Sequence, residues 1–165
     1  MTPFRSIKKG KWIETLKLRL YSIFNIPMIA YTKPVIVEVS DEKSHIIIPL
    51  IYRTKNHIGT MYFGSLSVGA DLCMGLIGVH HIRKTGRKIV WLFKDFKADF
   101  IKTGRSDVHF ICDEGKKIEA LVDKVIQTGE RQNETLNAYA TSPDTTGDEV
   151  IAKFKLTLSL KEYDK

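Results

Sequence analysis

The sequence predicts an α+β domain in which about six mostly antiparallel strands surround one long apolar helix. Three observations predict it. Residues 62–82 carry a single formal charge, Asp71, among apolar and small residues that include Gly64, Gly69, Gly75 and Gly78. Several other stretches alternate apolar and polar residues, or run apolar, between polar turns, as strands do. Further on, Ile118, Leu121, Val122, Val125 and Ile126 recur at i, i+3, i+4, i+7 and i+8, the spacing of an amphipathic helix. At 165 residues and 18.8 kDa the chain is expected to be one domain spanning 1–165, with residues 1–30 as a helical extension and about 33–161 as the core.

Each element can be justified in order. Residues 7–24 place Ile13, Leu16, Leu20, Ile23 and Phe24 at helix spacing, opposite lysines and arginines, and Pro27 lies just beyond. Such a helix can lie on a membrane surface, but packing against its own domain is the expected outcome. VIVEV at 35–39 and HIIIPLIY at 45–52 read as strands joined by the turn Ser40-Asp41-Glu42-Lys43. Pro49 cannot donate to a ladder and marks an edge or a bulge. After the central helix comes a basic loop, Arg83-Lys84-Thr85-Gly86-Arg87-Lys88. IVWLF at 89–93 follows, and then Phe96, Ala98 and Phe100 alternate with Asp95, Lys97 and Asp99, which predicts one covered and one polar face. DVHFIC at 107–112 is a strand, and a helix follows near 116–127. Strands at about 132–141 and 150–161 complete the chain, the last turning Ala152, Phe154, Leu156, Leu158 and Leu160 to one side and its lysines to the other.

Composition narrows the class of function. Hydrophobic residues at 43% and charged residues at 27% are ordinary for a globular domain. The net charge of +7 suits an anionic partner such as nucleic acid, anionic lipid or a phosphorylated small molecule. MTPFRSIKKGKW lacks the apolar core and cleavage site of a secretory signal. Cys73 and Cys112 lie far apart among apolar residues and are expected to be buried free thiols, which points to the cytoplasm. Their spacing to histidines fits no zinc pattern, and His80 and His81 suggest no metal site.

The run at 62–82 is at the threshold length for a membrane span, but a central aspartate costs about 2.5–3.5 kcal/mol on insertion scales. The amphipathic strands also need a cover, and a central helix supplies it. Stable membrane insertion is therefore not expected. The glycines let strands approach the helix closely. Asp71 is different: a buried carboxylate must be partnered, reached by water, or raised in pKa.

Asn56, Gly59 and Thr60, then Gly64 at a helix start, then Asp71 fifteen residues after the asparagine, resemble the signature of the hotdog-fold acyl-CoA thioesterases, in the branch that includes the phenylacetyl-CoA thioesterases. The order of elements is similar too: a strand pair, the central helix, then long antiparallel strands. The resemblance covers roughly residues 33–161, with the helix near 116–127 as an insertion. Where the branch usually has His-Gly-Gly, this chain has Tyr62-Phe63-Gly64. A serine or threonine that many relatives carry after the helix has no counterpart in IVWLFKDF.

The resemblance implies a hydrolase acting on an acyl-CoA, with coenzyme A as part of the substrate and no separate cofactor. The N–H groups of Phe63 and Gly64 would polarise the thioester carbonyl, Asp71 would act as general base or nucleophile, and Asn56 would orient water or the carboxylate. It further implies a homodimer or dimer of dimers, with the acid of one subunit facing the asparagine and helix start of the other. Arg83, Lys84, Arg87 and Lys88, with Lys97 and Lys102 behind them, are candidates for holding the phosphates of coenzyme A, and His57, Gly59 and Tyr62 for contacting substrate. Alternatives are a hotdog domain that binds acyl-CoA or lipid without turnover, or a dehydratase or isomerase, for which His57 is wrongly placed. A nucleic-acid-binding module is disfavoured because aromatic and basic residues are not interleaved on an exposed strand.

Overall fold

The structure, a computed structural model, describes residues 11–163. In chain order the elements are α1 (Trp12–Asn25), α2 (Pro27–Thr32), β1 (Val35–Val39), β2 (Ser44–Ile48), α3 (Phe63–Thr85), β3 (Ile89–Phe100), β4 (Val108–Cys112), α4 (Gly115–Thr128), β5 (Gln132–Thr141), α5 (Pro143–Thr146) and β6 (Val150–Glu162). The strands form one sheet in the order β1-β2-β4-β5-β6-β3, with every neighbouring pair antiparallel. This is the hotdog arrangement: α3 is the central helix and the sheet wraps it.

Two glycines show why α3 can lie so close to the strands. A Cβ at Gly69 would sit 2.3 Å from the Phe110 ring, and one at Gly75 would sit 3.0 Å from Trp91. Leu66, Ala70, Cys73, Met74 and Ile77 are buried against the sheet, so α3 meets the length and apolarity of a span while serving as the core helix. Cys73 and Cys112 are free and buried. The Cys73 thiol lies 3.4 Å from the Ser44 and Phe110 carbonyls, and burial pushes its pKa up, which leaves it unreactive. The far end of α3 is anchored by the β1–β2 turn. Lys84 Nζ and His80 Nε2 contact Asp41 Oδ1 at 2.7 and 2.8 Å, and His81 Nε2 lies 2.9 Å from the Asp41 carbonyl. α4 buries Ile118, Leu121, Val122 and Val125, the stripe its periodicity predicts, and β6 turns Ala152, Phe154, Leu156, Leu158 and Leu160 inward.

Three expectations are corrected. The strand expected through residue 52 stops at Ile48, because Pro49 removes a donor and the chain turns. Thr54 Oγ1 donates to the Pro49 carbonyl at 2.6 Å and accepts from Ile51 N at 2.9 Å, closing that turn. The face of β3 carrying Phe96 and Phe100 is only partly covered within the chain: Ala98 packs against the core and both rings meet Phe154, but they stay 44% and 49% exposed on an edge strand with a bulge between Phe93 and Phe96. The N-terminal helix does not dock by its apolar side. Residues 7–10 of the expected helix lie outside the described residues. From Trp12 onward, α1 turns Thr15 and Ser22 inward and leaves Ile13, Leu16, Leu20, Ile23 and Phe24 exposed. Its attachment is polar. Thr15 Oγ1 accepts from Ile36 N at 3.0 Å, and Arg19 donates to the carbonyls of Pro34 and Lys33 at 3.0 and 2.9 Å.

Candidate active site

The loop between β2 and α3 fixes how the central helix begins. Asn56 N donates to the Thr60 carbonyl at 2.8 Å. The Asn56 side chain accepts from Ile58 N and Thr60 N at 3.1 and 3.0 Å and donates to Thr60 Oγ1 at 2.9 Å. Gly59, at φ +81°, supplies the left-handed residue this turn requires. Met61 N then donates to the Gly104 carbonyl and Tyr62 N to the Thr54 carbonyl, both at 2.8 Å. These bonds deliver Tyr62 in extended conformation (φ −67°, ψ 139°) as the residue before the helix.

No side chain caps the first turn of α3, across which Leu66 N donates to the Tyr62 carbonyl at 3.1 Å. Among the described residues, the N–H groups of Phe63 and Gly64 have no partner. They are unpaired donors at the positive end of a 23-residue dipole. Beside them opens a cleft of about 350 Å³, lined by Asn56, His57, Ile58, Thr60, Met61, Tyr62, Phe63, Leu66, Phe100, Lys102, Thr103 and Gly104. Tyr62 and Phe63 meet edge to face at 4.9 Å, and Phe63 meets Phe100 at 6.5 Å, so three aromatic rings in mutual contact form part of the lining.

Asp71 is on α3 but not in that cleft. It follows Gly64 by seven residues, two helical turns along the same face, or about 10 Å of rise. Gly64, Ser67, Val68 and Asp71 form a half-buried stripe while Leu66, Gly69, Ala70 and Leu72 are buried, so the acid lies on the side of the helix the sheet leaves partly open. Among the described residues no cation and no hydrogen-bond donor meets its carboxylate. Burial alone raises its pKa above the usual carboxylate range. This answers the sequence-level alternatives: Asp71 is neither paired nor sealed.

The basic loop sits at the opposite end of α3, a helix length of about 34 Å from the cleft. There Lys84 is engaged with Asp41, and Arg87 Nη1 donates to both carboxylate oxygens of Glu162 at 3.0 and 3.1 Å. Arg83 and Lys88 are exposed. Within one chain, then, the structure gathers Asn56, His57, Tyr62, Phe63 and Gly64, with Gly59 shaping their loop. It keeps Asp71, Arg83, Lys84, Arg87 and Lys88 apart from them. It adds cleft residues that carry no sequence signal, Leu66, Phe100 and Thr103, and places there Lys102, a secondary candidate for the basic rim. Phe100 in particular reads as a covered strand residue until β3 is seen to be an edge. No group of three or more His, Cys, Asp or Glu side chains able to hold a metal occurs among the described residues.

Comparison with solved structures places this geometry. A provisionally named thioesterase from Shewanella oneidensis superposes with a TM-score of 0.74 at 16% identity, covering 90% of this chain and 98% of its own. A protein of unknown function from Chlorobaculum tepidum gives 0.78 at 13% identity, covering 91% and 95%. A mutant of a thioesterase from Staphylococcus aureus gives 0.63 at 15%, covering 82% and 98%. Identities this low establish the shared hotdog fold. No curated protein sequence matches. The sequence pattern of one family matches residues 17–159, nearly the whole chain, and the chain accordingly belongs to DUF4442, a domain of unknown function.

Proposed function

We propose that the protein is an acyl-CoA thioesterase, hydrolysing the bond between an acyl group and the sulfur of coenzyme A. The observation that carries this reading is the uncapped start of α3 beside an apolar cleft that Tyr62 and Phe63 line. Its likeness in fold to proteins named as thioesterases supports it. The thioester oxygen would accept from the N–H groups of Phe63 and Gly64, which stabilise the oxyanion as water adds. Asp71, ionised, takes a proton from that water. The new C–O bond forms, the C–S bond breaks, and the proton passes to the departing sulfur. Because the donors are backbone groups, replacement of the family's usual histidine does not remove them.

Asp71 stands two turns from its own helix start, so the acid and the donors would meet across two copies of the chain. The exposed edge strand β3, with Phe96 and Phe100, is the natural seam for a dimer. One observation favours a second reading, binding of an acyl-CoA or similar ligand without turnover. The Asn56 amide is committed to its own loop and has little capacity left to hold a water.

Thiol release from acyl-CoAs of graded length, measured for wild type and Asp71→Asn, separates the two. Hydrolysis predicts a chain-length optimum and loss of at least about a hundredfold in the variant. Flat, background-level release from both would establish the binding role. Phe63→Pro adds a cleaner probe of the donor. Proline is accepted at the first helical position, and the extended backbone of Tyr62 suits a following proline. The helix should therefore form while one N–H is lost, with a rate loss of about 10²–10³. Mixing Phe63→Pro with Asp71→Asn chains should restore about a quarter of wild-type activity in a two-fold dimer, because each mixed dimer holds one intact site. No recovery on mixing would place acid and donors in one chain and refute the shared site.

A further inference from the structure

Among the described residues, the outer face of α1 is a large apolar surface that neither the sheet nor the candidate site uses. Trp12 is 63% exposed, Leu20 52% and Phe24 84%, with Ile13, Leu16 and Ile23 alongside them. A surface helix ordinarily spends this stripe on its own core. Here the hydrogen bonds that hold the helix are made by Thr15 and Arg19, to the backbone at residues 33–36, with Ser22 buried beside them. The domain therefore holds the helix in place with its apolar stripe pointing away. Met28 and Tyr31 of α2 extend the patch at 62% and 49% exposure, and Arg53 lies over the Tyr31 ring at 5.2 Å. Lys55 lies over the Tyr52 ring at 5.8 Å, continuing the mixture of aromatic and basic groups into the next loop.

The charge of the chain is concentrated in the same part of the sequence. Residues 1–34 contain seven lysines and arginines against one acid, Glu14, so +6 of the net +7 belongs to this first fifth of the sequence. An apolar stripe beside dense positive charge has a definite complement: a surface that is anionic outside and apolar a few ångströms below. A second copy of the chain is a poor occupant, because a two-fold contact through α1 would set +6 against +6. We propose that α1, with α2 and the Tyr52–Lys55 loop, docks the protein peripherally on anionic lipid membranes. The helix lies in the interface plane, and its apolar residues enter the acyl boundary. The inference is independent of whether the protein hydrolyses thioesters.

The test is co-sedimentation of the full chain with vesicles of phosphatidylcholine alone or with phosphatidylglycerol, at low and high salt. Wild type should bind the phosphatidylglycerol vesicles at least about tenfold more tightly than phosphatidylcholine vesicles, and lose that preference as salt rises. Its tryptophan emission should move to shorter wavelength on binding, as Trp12 leaves water. Leu20→Glu/Phe24→Glu, at exposed positions that make no core contact, should keep the wild-type circular dichroism and melting curve and bind at least about tenfold more weakly. Failure of wild type to bind either vesicle, or binding without a tryptophan shift, overturns the proposal. So does equal binding by the double variant, which would reduce the effect to surface charge. A double variant that changes in oligomeric mass, with wild type indifferent to vesicles, would assign the face to protein contact instead.

Discussion

Asp71→Asn should inactivate the protein and stabilise it at the same time, and the pairing of effects is what makes the substitution informative. The carboxylate is half-buried, meets no cation or donor among the described residues, and has its pKa raised by burial. Asparagine has the same shape and similar helix propensity but no charge to desolvate. An unpartnered buried polar group costs about 1–3 kcal/mol, and because water reaches Asp71 the lower end applies, so the variant should gain about 1 kcal/mol at neutral pH. In a chain of 165 residues that corresponds to a rise in Tm of about 2–4 °C. The pH dependence has a fixed sign. With its pKa raised in the folded state, Asp71 binds its proton more readily folded than unfolded. Its unfavourable contribution therefore appears as pH rises from the unfolded value of about 3.9 through the higher folded value. The difference in Tm between variant and wild type should be full at pH 7 and vanish below about pH 4. Thermal melts of both proteins across that range, beside thiol release, supply the readout. A variant less stable than wild type at pH 7 would mean that the carboxylate has a stabilising partner, and the reasoning from an unpaired acid would fail.

Two further perturbations probe the frame around the site. A Cβ on Gly115 would meet the Asp41 backbone carbonyl oxygen at 2.0 Å, whereas one on Gly129 meets open space at φ +66°. Gly115→Ala should therefore cost at least about 2 kcal/mol, and Gly129→Ala about 1 kcal/mol from backbone strain alone; equal costs in urea unfolding would contradict the packing of α4 on the β1–β2 turn. His45 Nε2 lies 2.9 Å from His109 Nδ1, and burial, then the His109 charge, lowers its pKa from 6.5 to about 4. A histidine held neutral in the fold contributes stability above its unfolded pKa and loses it as pH falls through that window, so wild type should weaken between pH 6.5 and about 4 more steeply than His45→Gln, as read from melting curves.

The sequence carries the fold well because period and burial agree in most elements. Period-2 alternation in residues 150–161 and the 3.6-residue stripe at Ile118, Leu121, Val122 and Val125 both describe surfaces that end in one core. The helix from Phe63 is legible for the same reason, and its glycines mark real close approaches at Phe110 and Trp91. Where side chains do something other than fill a core, the pattern misleads. Phe96 and Phe100 alternate as covered residues do, but they lie on an edge strand, and nothing in a single chain's pattern distinguishes an edge from an interior strand. α1 misleads more strongly. Its apolar stripe is the obvious docking face, but the domain holds it by hydrogen bonds between Thr15 and Arg19 and backbone groups at residues 33–36, beyond the reach of local periodicity.

The candidate site was legible only where local chemistry is self-contained. Asn56, Gly59 and Thr60 form a closed loop whose bonds span four residues, so their spacing alone reports the turn. What that loop accomplishes is visible only in three dimensions. With the Asn56 side chain spent inside it, the loop's contribution is to hand Tyr62 to the helix extended and uncapped, leaving donors free. A serine or aspartate at position 62 would cap the helix and stabilise it by about 1 kcal/mol. It would also occupy a first-turn N–H group that the proposed mechanism needs free. The same trade recurs at position 71, where a neutral side chain would suit the half-buried stripe better than a carboxylate. Two departures from the most stable choice on one face of one helix, with buried apolar neighbours obeying the ordinary rules between them, are hard to explain by packing. On the proposed reading they keep donors and an acid unsatisfied until a ligand arrives.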